Sequence, residues 1–289
     1  MPLNRNQKIL AHVKQNGYGL EIGPSHRPVA PKKRGYRVDI IDHACREDLI
    51  NKYRSHGVNV SNIEEVDFIW KGQSYSELTG KRKFYDWIIA SHVVEHTPDL
   101  IGFLNECDSV LNDEGVISLA VPDKRYCFDH FRPLTGLARV IDNHLHKNAI
   151  HSPGEAAEYY LNVVAKNKRI AWNSESEGDY SLIHSAKEAR SKMDTIISEN
   201  KYIDLHTWCF TPSSFRLIIH DLHTLGLIPF KEVSFLPTTG CEFFVTLGRQ
   251  GKGLQARRIH MLKAIEAEIC TAGESSTTTA PSSLAKQIA

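Results

Sequence analysis

Residues 85–122 read "YDWIIASHVVEHTPDLIGFLNECDSVLNDEGVISLAVP". The ends of this stretch, 84–91 and 115–122, are apolar runs of strand length, rich enough in Ile, Val and Leu to be buried on both faces as central parallel strands are. Between them Thr97 stands as an N-cap, Pro98 at the first helical position and Asp99 in the first turn. Leu100, Phe103, Leu104, Cys107 and Leu111 then recur at helical spacing. Strand, helix, strand is the unit from which a parallel sheet is wound.

The same alternation extends outward. Upstream, an amphipathic helix over 4–15 carries Ile9, Leu10 and Val13 on one face, and "NGYGLEIG" is a short strand ending at glycine. "YRVDIID" (36–42) is a second strand, "ACREDLINKYRSHG" a helix closed by Gly57, and "VDFIW" (66–70) a third strand. Downstream, "TPSSFRLIIHDLHTLG" (211–226) is a helix capped by Thr211 and stopped by Gly226, with Phe215, Ile218, Ile219, Leu222 and Leu225 as its buried stripe. Strands at 230–236 and 242–248 follow, joined by "PTTGC", a link short enough to make them an antiparallel hairpin. The predicted fold is α/β: a Rossmann-like doubly wound sheet of five parallel strands plus a C-terminal antiparallel hairpin, with a largely helical insertion after the fifth strand. Residues 1–122 and 206–250 form the core, 123–205 the insertion, and 251–289 a C-terminal helix and tail. An irregular connection of that length is usually functional. The tail's "GESSTTTAPSS" cannot bury apolar surface and is expected to be disordered.

Composition narrows the function classes. With 289 residues, 41% of them hydrophobic, and a formal charge of +1, the chain can build a core but has no global field directed at nucleic acid or an anionic membrane. No basic stripe with interleaved aromatics appears, so nucleic acid is not an expected partner. The N-terminus lacks an apolar signal core, and no window of about 18 apolar residues occurs, so no membrane span and a soluble, cytoplasmic protein are expected. Six cysteines without a CxxC pair argue against a zinc ribbon and a disulfide framework. The fifteen histidines fit either polar loop composition or a substrate pocket.

In an open parallel sheet, ligands bind outside the carboxyl ends of the strands. Glu21 and Gly23 end strand one. Asp42 ends strand two, 21 positions after Glu21, where an acidic side chain can accept hydrogen bonds from ribose hydroxyls. The "GPSHRP" after strand one has one glycine only, and its prolines lack the amides that a pyrophosphate loop needs. NAD is therefore disfavoured. A cofactor with adenosine and a charged amino-acid end, S-adenosylmethionine, fits better.

At these residues the chain resembles the class I SAM-dependent methyltransferases of the type 11-like group, most specifically over 84–122, well over 15–122 and reasonably over 211–248. The resemblance implies that Glu21 and Gly23 lie under the methionine part of S-adenosylmethionine, that Pro24 and Ser25 are also cofactor-binding residues, and that Asp42 holds the ribose. It implies that residues 67–71, with Asp67 first, flank the adenine, and that Ser91 and His92 face the sulfonium. The "GPSHRP" loop departs from the family's glycine pattern. The same reading disposes of another: His92, Glu95 and His96 spell H-x-x-E-H, but a zinc peptidase needs its histidines on one continuous helix, and here the helix starts after the motif. His96 is then a hydrogen-bonded loop residue or a catalytic one.

Methyl transfer to a hydroxyl needs alignment and a base. The segment leaving strand five carries Asp123, Lys124, Arg125, Tyr126, Asp129, His130 and Arg132, which can bind a polar acceptor or tie the insertion to the sheet. "YIDLHTWCFTP" offers His206 as a base oriented by Asp204, or else as a packing residue. The catalytic candidates are His206, Asp129 and His130. No spacing fixes three ligands, so no metal is expected. The expected activity is O-methylation of a small polar or glycan-like acceptor, with the insertion as lid. The chain is similar to methyltransferases associated with bacterial surface polysaccharides. An N- or C-methyltransferase of a small metabolite and a non-catalytic SAM-binding module remain the alternatives. A homodimer is allowed.

Overall fold

The computed structural model describes residues 3–273; the expectation for the tail beyond them lies outside the described residues. Its strands are β1 (Tyr18–Ile22), β2 (Arg37–Asp42), β3 (Phe68–Ile69), β4 (Tyr85–Ser91), β5 (Leu111–Pro122), β6 (Val164–Lys166), β7 (Tyr180–Leu182), β8 (Lys231–Thr239) and β9 (Glu242–Gly248). The helices are α1 (Arg5–Ile9), α2 (Arg46–Tyr53), α3 (Tyr75–Thr79), α4 (Leu100–Val110), α5 (Leu137–Leu145), α6 (Pro153–Asn162), α7 (Ala186–Glu199), α8 (Pro212–Thr224) and α9 (Arg258–Gly273). Seven strands form one sheet in the order β3-β2-β1-β4-β5-β9-β8. The first five are parallel, and β9 joins β5 antiparallel, with Ala120 opposite Phe244. The expected sheet and hairpin are therefore present.

Strand alternation sorts β4 between two cores. Ile88 and Ala90 pack with Leu100, Leu104 and Cys107 of α4 and with Phe215 and Leu222 of α8. Trp87 and Ile89 face the other way, onto Ile9, Val13, Val38 and Phe244. Each fully buried side chain of this size contributes roughly 1.5–3 kcal/mol. Trp87 lies flat against β1, so closely that a Cβ on Gly19 would stand 2.2 Å from its ring.

Two helix boundaries differ from the periodicity. The first helix spans Arg5–Ile9 rather than 4–15, and turns closed by Val13 N–H to Leu10 O (3.1 Å) and Gly17 N–H to Lys14 O (2.8 Å) carry Val13 into the core instead. Asp99, not Thr97, caps α4, accepting Gly102 N–H at 2.8 Å. Thr97 closes a 3-10 turn over Val94–His96, donating to Val94 O, and is extended as a residue before proline must be.

Segment 123–205 holds α5, α6, α7 and the small β6–β7 hairpin. Ala156, Tyr160, Ala189, Ile196 and Leu205 give it a core of its own. Among the described residues no helix is long and apolar enough to cross a membrane.

Candidate active site

A cavity of about 370 Å³ opens at the carboxyl ends of β1, β2 and β4. Ile22 and Gly23 supply one wall, Asp42 and His43 the next, Trp70 and Tyr75 a third, and Val93, His96 and Phe103 a fourth. Asn148, Ala149 and Tyr202 of the insertion complete it. Gly23 has φ +62°, a left-handed conformation that glycine adopts without strain, and a Cβ there would reach Val93 at 3.2 Å.

The loop after β1 is pinned from two sides. Glu21 turns away from the cavity to accept Val29 N–H (2.6 Å) and Ala30 N–H (3.1 Å). Burial pushes its carboxyl up to about 7, against those two amides. Asp42 accepts Ser25 N–H at 3.2 Å and His43 N–H at 2.8 Å. Pro24 and Ser25 thus belong to the braced loop and are not part of the cavity wall. Asp67 is not in the wall either: it accepts Ile40 N–H (2.7 Å) and pairs with Lys32 (2.5 Å), joining the β2 and β3 segments. The neighbour that does face the cavity is Trp70.

On the insertion side a second group of polar residues converges. Thr207 N–H donates to Glu95 O at 2.7 Å and so sets His206 beside the 3-10 turn. His206 Nδ1 lies 2.5 Å from Asp129 Oδ2 and its Nε2 4.0 Å from Glu95 Oε1. The His96 and His206 rings meet edge to face at 4.6 Å. One ligating atom from each of Glu95, His96 and His206 lies within 4.8 Å of the others. Burial alone would raise Asp129, but His206 and Arg132 hold it down at about 2. Asp204, expected to orient His206, instead stands 2.8 Å from His96 Nδ1, and Asp129 takes its place.

A family profile described as a methyltransferase domain matches residues 4–184. The chain belongs to the methyltransferase family. A comparison with curated proteins found no match. Among solved structures, this methyltransferase is similar to a SAM dependent methyltransferase from Aquifex aeolicus, at 12% identity over 84% of this chain and 88% of that one, TM-score 0.41. It is similar to the CcbJ methyltransferase from Streptomyces caelestis at 10% identity over 85% and 96%, TM-score 0.43. A proposed Zn-dependent alcohol dehydrogenase from Rhodobacter sphaeroides reaches TM-score 0.47 at 12% identity over 87% and 92%. At these identities and scores the likenesses say nothing of this methyltransferase's acceptor.

The structure gives three expected site residues other partners. Arg5 binds Glu242 through two nitrogens (2.7 and 2.9 Å) and donates to Ser91 Oγ at 2.7 Å. His92, at φ +55°, turns its Nε2 to Glu242 at 2.9 Å. Burial would lower the His92 imidazole, yet Glu242 and Glu95 raise it to about 9. His130 donates from Nδ1 to Arg125 O at 2.8 Å and stacks on Tyr180 at 4.9 Å; neither partner belongs to the Glu95–His96–His206 group. Glu95 was absent from the sequence candidates for catalysis. Its signal lay in the motif quoted at the outset, but the residue that completes the group, His206, is 110 positions after His96.

Proposed function

We propose that this methyltransferase transfers the methyl group of S-adenosylmethionine to an oxygen of a small polar or glycan-like acceptor. The observation that carries the reading is a single cavity lined by both Gly23 and Asp42 and, on another wall, by His96 of the polar group. Asp42 accepts from the ribose, Trp70 and Phe103 offer apolar surface to the adenine, and the glycine at 23 lets backbone approach the methionine end. The insertion closes the site from above through Asn148, Ala149 and Tyr202.

The acceptor oxygen attacks the methyl carbon in line with the carbon–sulfur bond, whose electron pair stays on sulfur as S-adenosylhomocysteine leaves. The protein's task is alignment, and removal of the hydroxyl proton. His206, its Nδ1 held by Asp129, belongs to the group that handles that hydroxyl. Polar side chains around this group favour a polar acceptor over a lipid or quinone.

Calorimetric titration with S-adenosylmethionine and S-adenosylhomocysteine tests the donor. Release of S-adenosylhomocysteine in the presence of nucleotide sugars and glycans, with methylated product identified by mass spectrometry, tests the acceptor. Absence of binding by either cofactor form would sink the donor assignment; product methylated on nitrogen or carbon would sink the oxygen assignment alone.

A further inference from the structure

We propose that Glu95, His96 and His206 bind a divalent cation on the acceptor side of the cavity. Two imidazoles and one carboxylate, with ligating atoms within 4.8 Å of one another, are a donor set suited to Zn²⁺, Mn²⁺, Fe²⁺ or Co²⁺. The second observation is Glu95 itself. Its side chain is 1% exposed, and neither carboxylate oxygen accepts a hydrogen bond from any of the described residues. A buried carboxylate left in that state is costly. His92 Nδ1 approaches at 3.5 Å and His206 Nε2 at 4.0 Å, both at ion-pair range without hydrogen-bond alignment.

The surroundings of His206 point the same way. Metal-bound histidines typically give their other ring nitrogen to a carboxylate, which fixes the ring and its tautomer. Here His206 Nδ1 is held by Asp129 at 2.5 Å; Asp204 stands 2.8 Å from His96 Nδ1, at ion-pair range without hydrogen-bond alignment. Asp129 is in turn fixed by the buried Arg132 at 2.8 Å. With His206 Nδ1 so engaged, its Nε2 is left to face Glu95. Three protein ligands leave coordination positions open, and because His96 is also part of the cavity wall, those positions can take an acceptor oxygen. That last step rests on the methyl-transfer reading; the cation site itself does not.

The test uses the full chain, stripped with a chelator and titrated with Co²⁺ while visible absorption is recorded, with Zn²⁺ followed by calorimetry. One equivalent is expected to bind with a Co²⁺ spectrum of nitrogen and oxygen ligation, lost in Glu95→Gln and in His96→Ala. Asp129→Asn should weaken binding by roughly 10–100-fold. Circular dichroism checks each variant's fold; if Glu95→Gln does not fold, the partly exposed His96 carries the test. A wild-type chain that binds no Co²⁺, or binds it equally well in His96→Ala, overturns the proposal. S-adenosylhomocysteine titration of the stripped protein runs alongside. Cofactor binding without metal binding refutes the cation site alone, and metal binding without cofactor binding refutes the donor assignment alone.

Discussion

Replacing Asp42 with alanine removes the carboxylate that ends β2 and faces the cavity. A carboxylate offers about four acceptor positions. His43 N–H takes one on Oδ1 at 2.8 Å and Ser25 N–H one on Oδ2 at 3.2 Å, and the His43 ring covers the rest of Oδ1, its Nδ1 standing 2.7 Å away at ion-pair range. One position on Oδ2 is left for a ribose hydroxyl, and a second becomes available only if the His43 ring turns out. That ring is about half exposed, so turning costs little. A hydrogen bond to a charged acceptor contributes ~1.5–3 kcal/mol, and one such bond corresponds to a loss of roughly 10–100-fold in affinity.

Calorimetry with S-adenosylhomocysteine measures this directly. Asp42→Ala should bind about 10–100-fold more weakly, whereas His43→Ala, which frees Oδ1 for the second hydroxyl, should bind more tightly than wild type. Because Asp42→Ala also releases Ser25 from the β1 loop, thermal unfolding without cofactor must accompany the titration. An Asp42→Ala chain that is stably folded and binds within about twofold of wild type (~0.4 kcal/mol) refutes the placement of the ribose.

Glu21 predicts a pH signature of the braced loop. Its carboxyl is raised from 4.5 to about 7 in the fold, so the folded chain keeps a proton there that the unfolded chain has lost. The stability this contributes is full below pH ~4.5 and disappears as pH rises through ~7, a change of ~3.5 kcal/mol at ~1.4 kcal/mol per pH unit. Urea unfolding of wild type and Glu21→Gln across that window should show their difference moving by that amount in favour of Gln; a constant difference refutes it. Gly19→Ala drives a methyl into the ring of fully buried Trp87, and overpacking of this kind costs ~1–3 kcal/mol. The melting temperature should fall by several degrees, and an unchanged value would show that Trp87 does not lie across β1 as described.

Much of the sheet could be read from the sequence because each strand announces itself locally. Ile88, Ile89 and Ala90 are buried whatever lies around them, and an acidic residue at the end of β2 has few places to be except the ligand crevice. The acceptor side has no such local sign. Two-residue alternation along an extended segment put Asp204 and His206 on one side, but residues 201–209 have no regular strand partner. Each side chain therefore turns to whatever the rest of the chain brings: His96 for Asp204, and Asp129, 77 positions earlier, for His206. Ser91 and His92 likewise take partners that the sequence around them does not announce, Arg5 from α1 and Glu242 from β9.

The motif His92-x-x-Glu95-His96 shows both the reach and the limit of spacing. A peptidase would need His92 and His96 on one continuous helix. In this chain His92 takes φ +55° and turns to Glu242, while Val94–His96 form only a 3-10 turn. The rejection of the peptidase follows from that backbone. It does not follow that Glu95 and His96 lack a partner in metal chemistry, since the Thr207 to Glu95 backbone bond brings His206 beside them from a distant part of the chain. Spacing can exclude a ligand set that must be built within one helix. A set assembled from a turn and a distant extended segment becomes visible only once that backbone bond has formed.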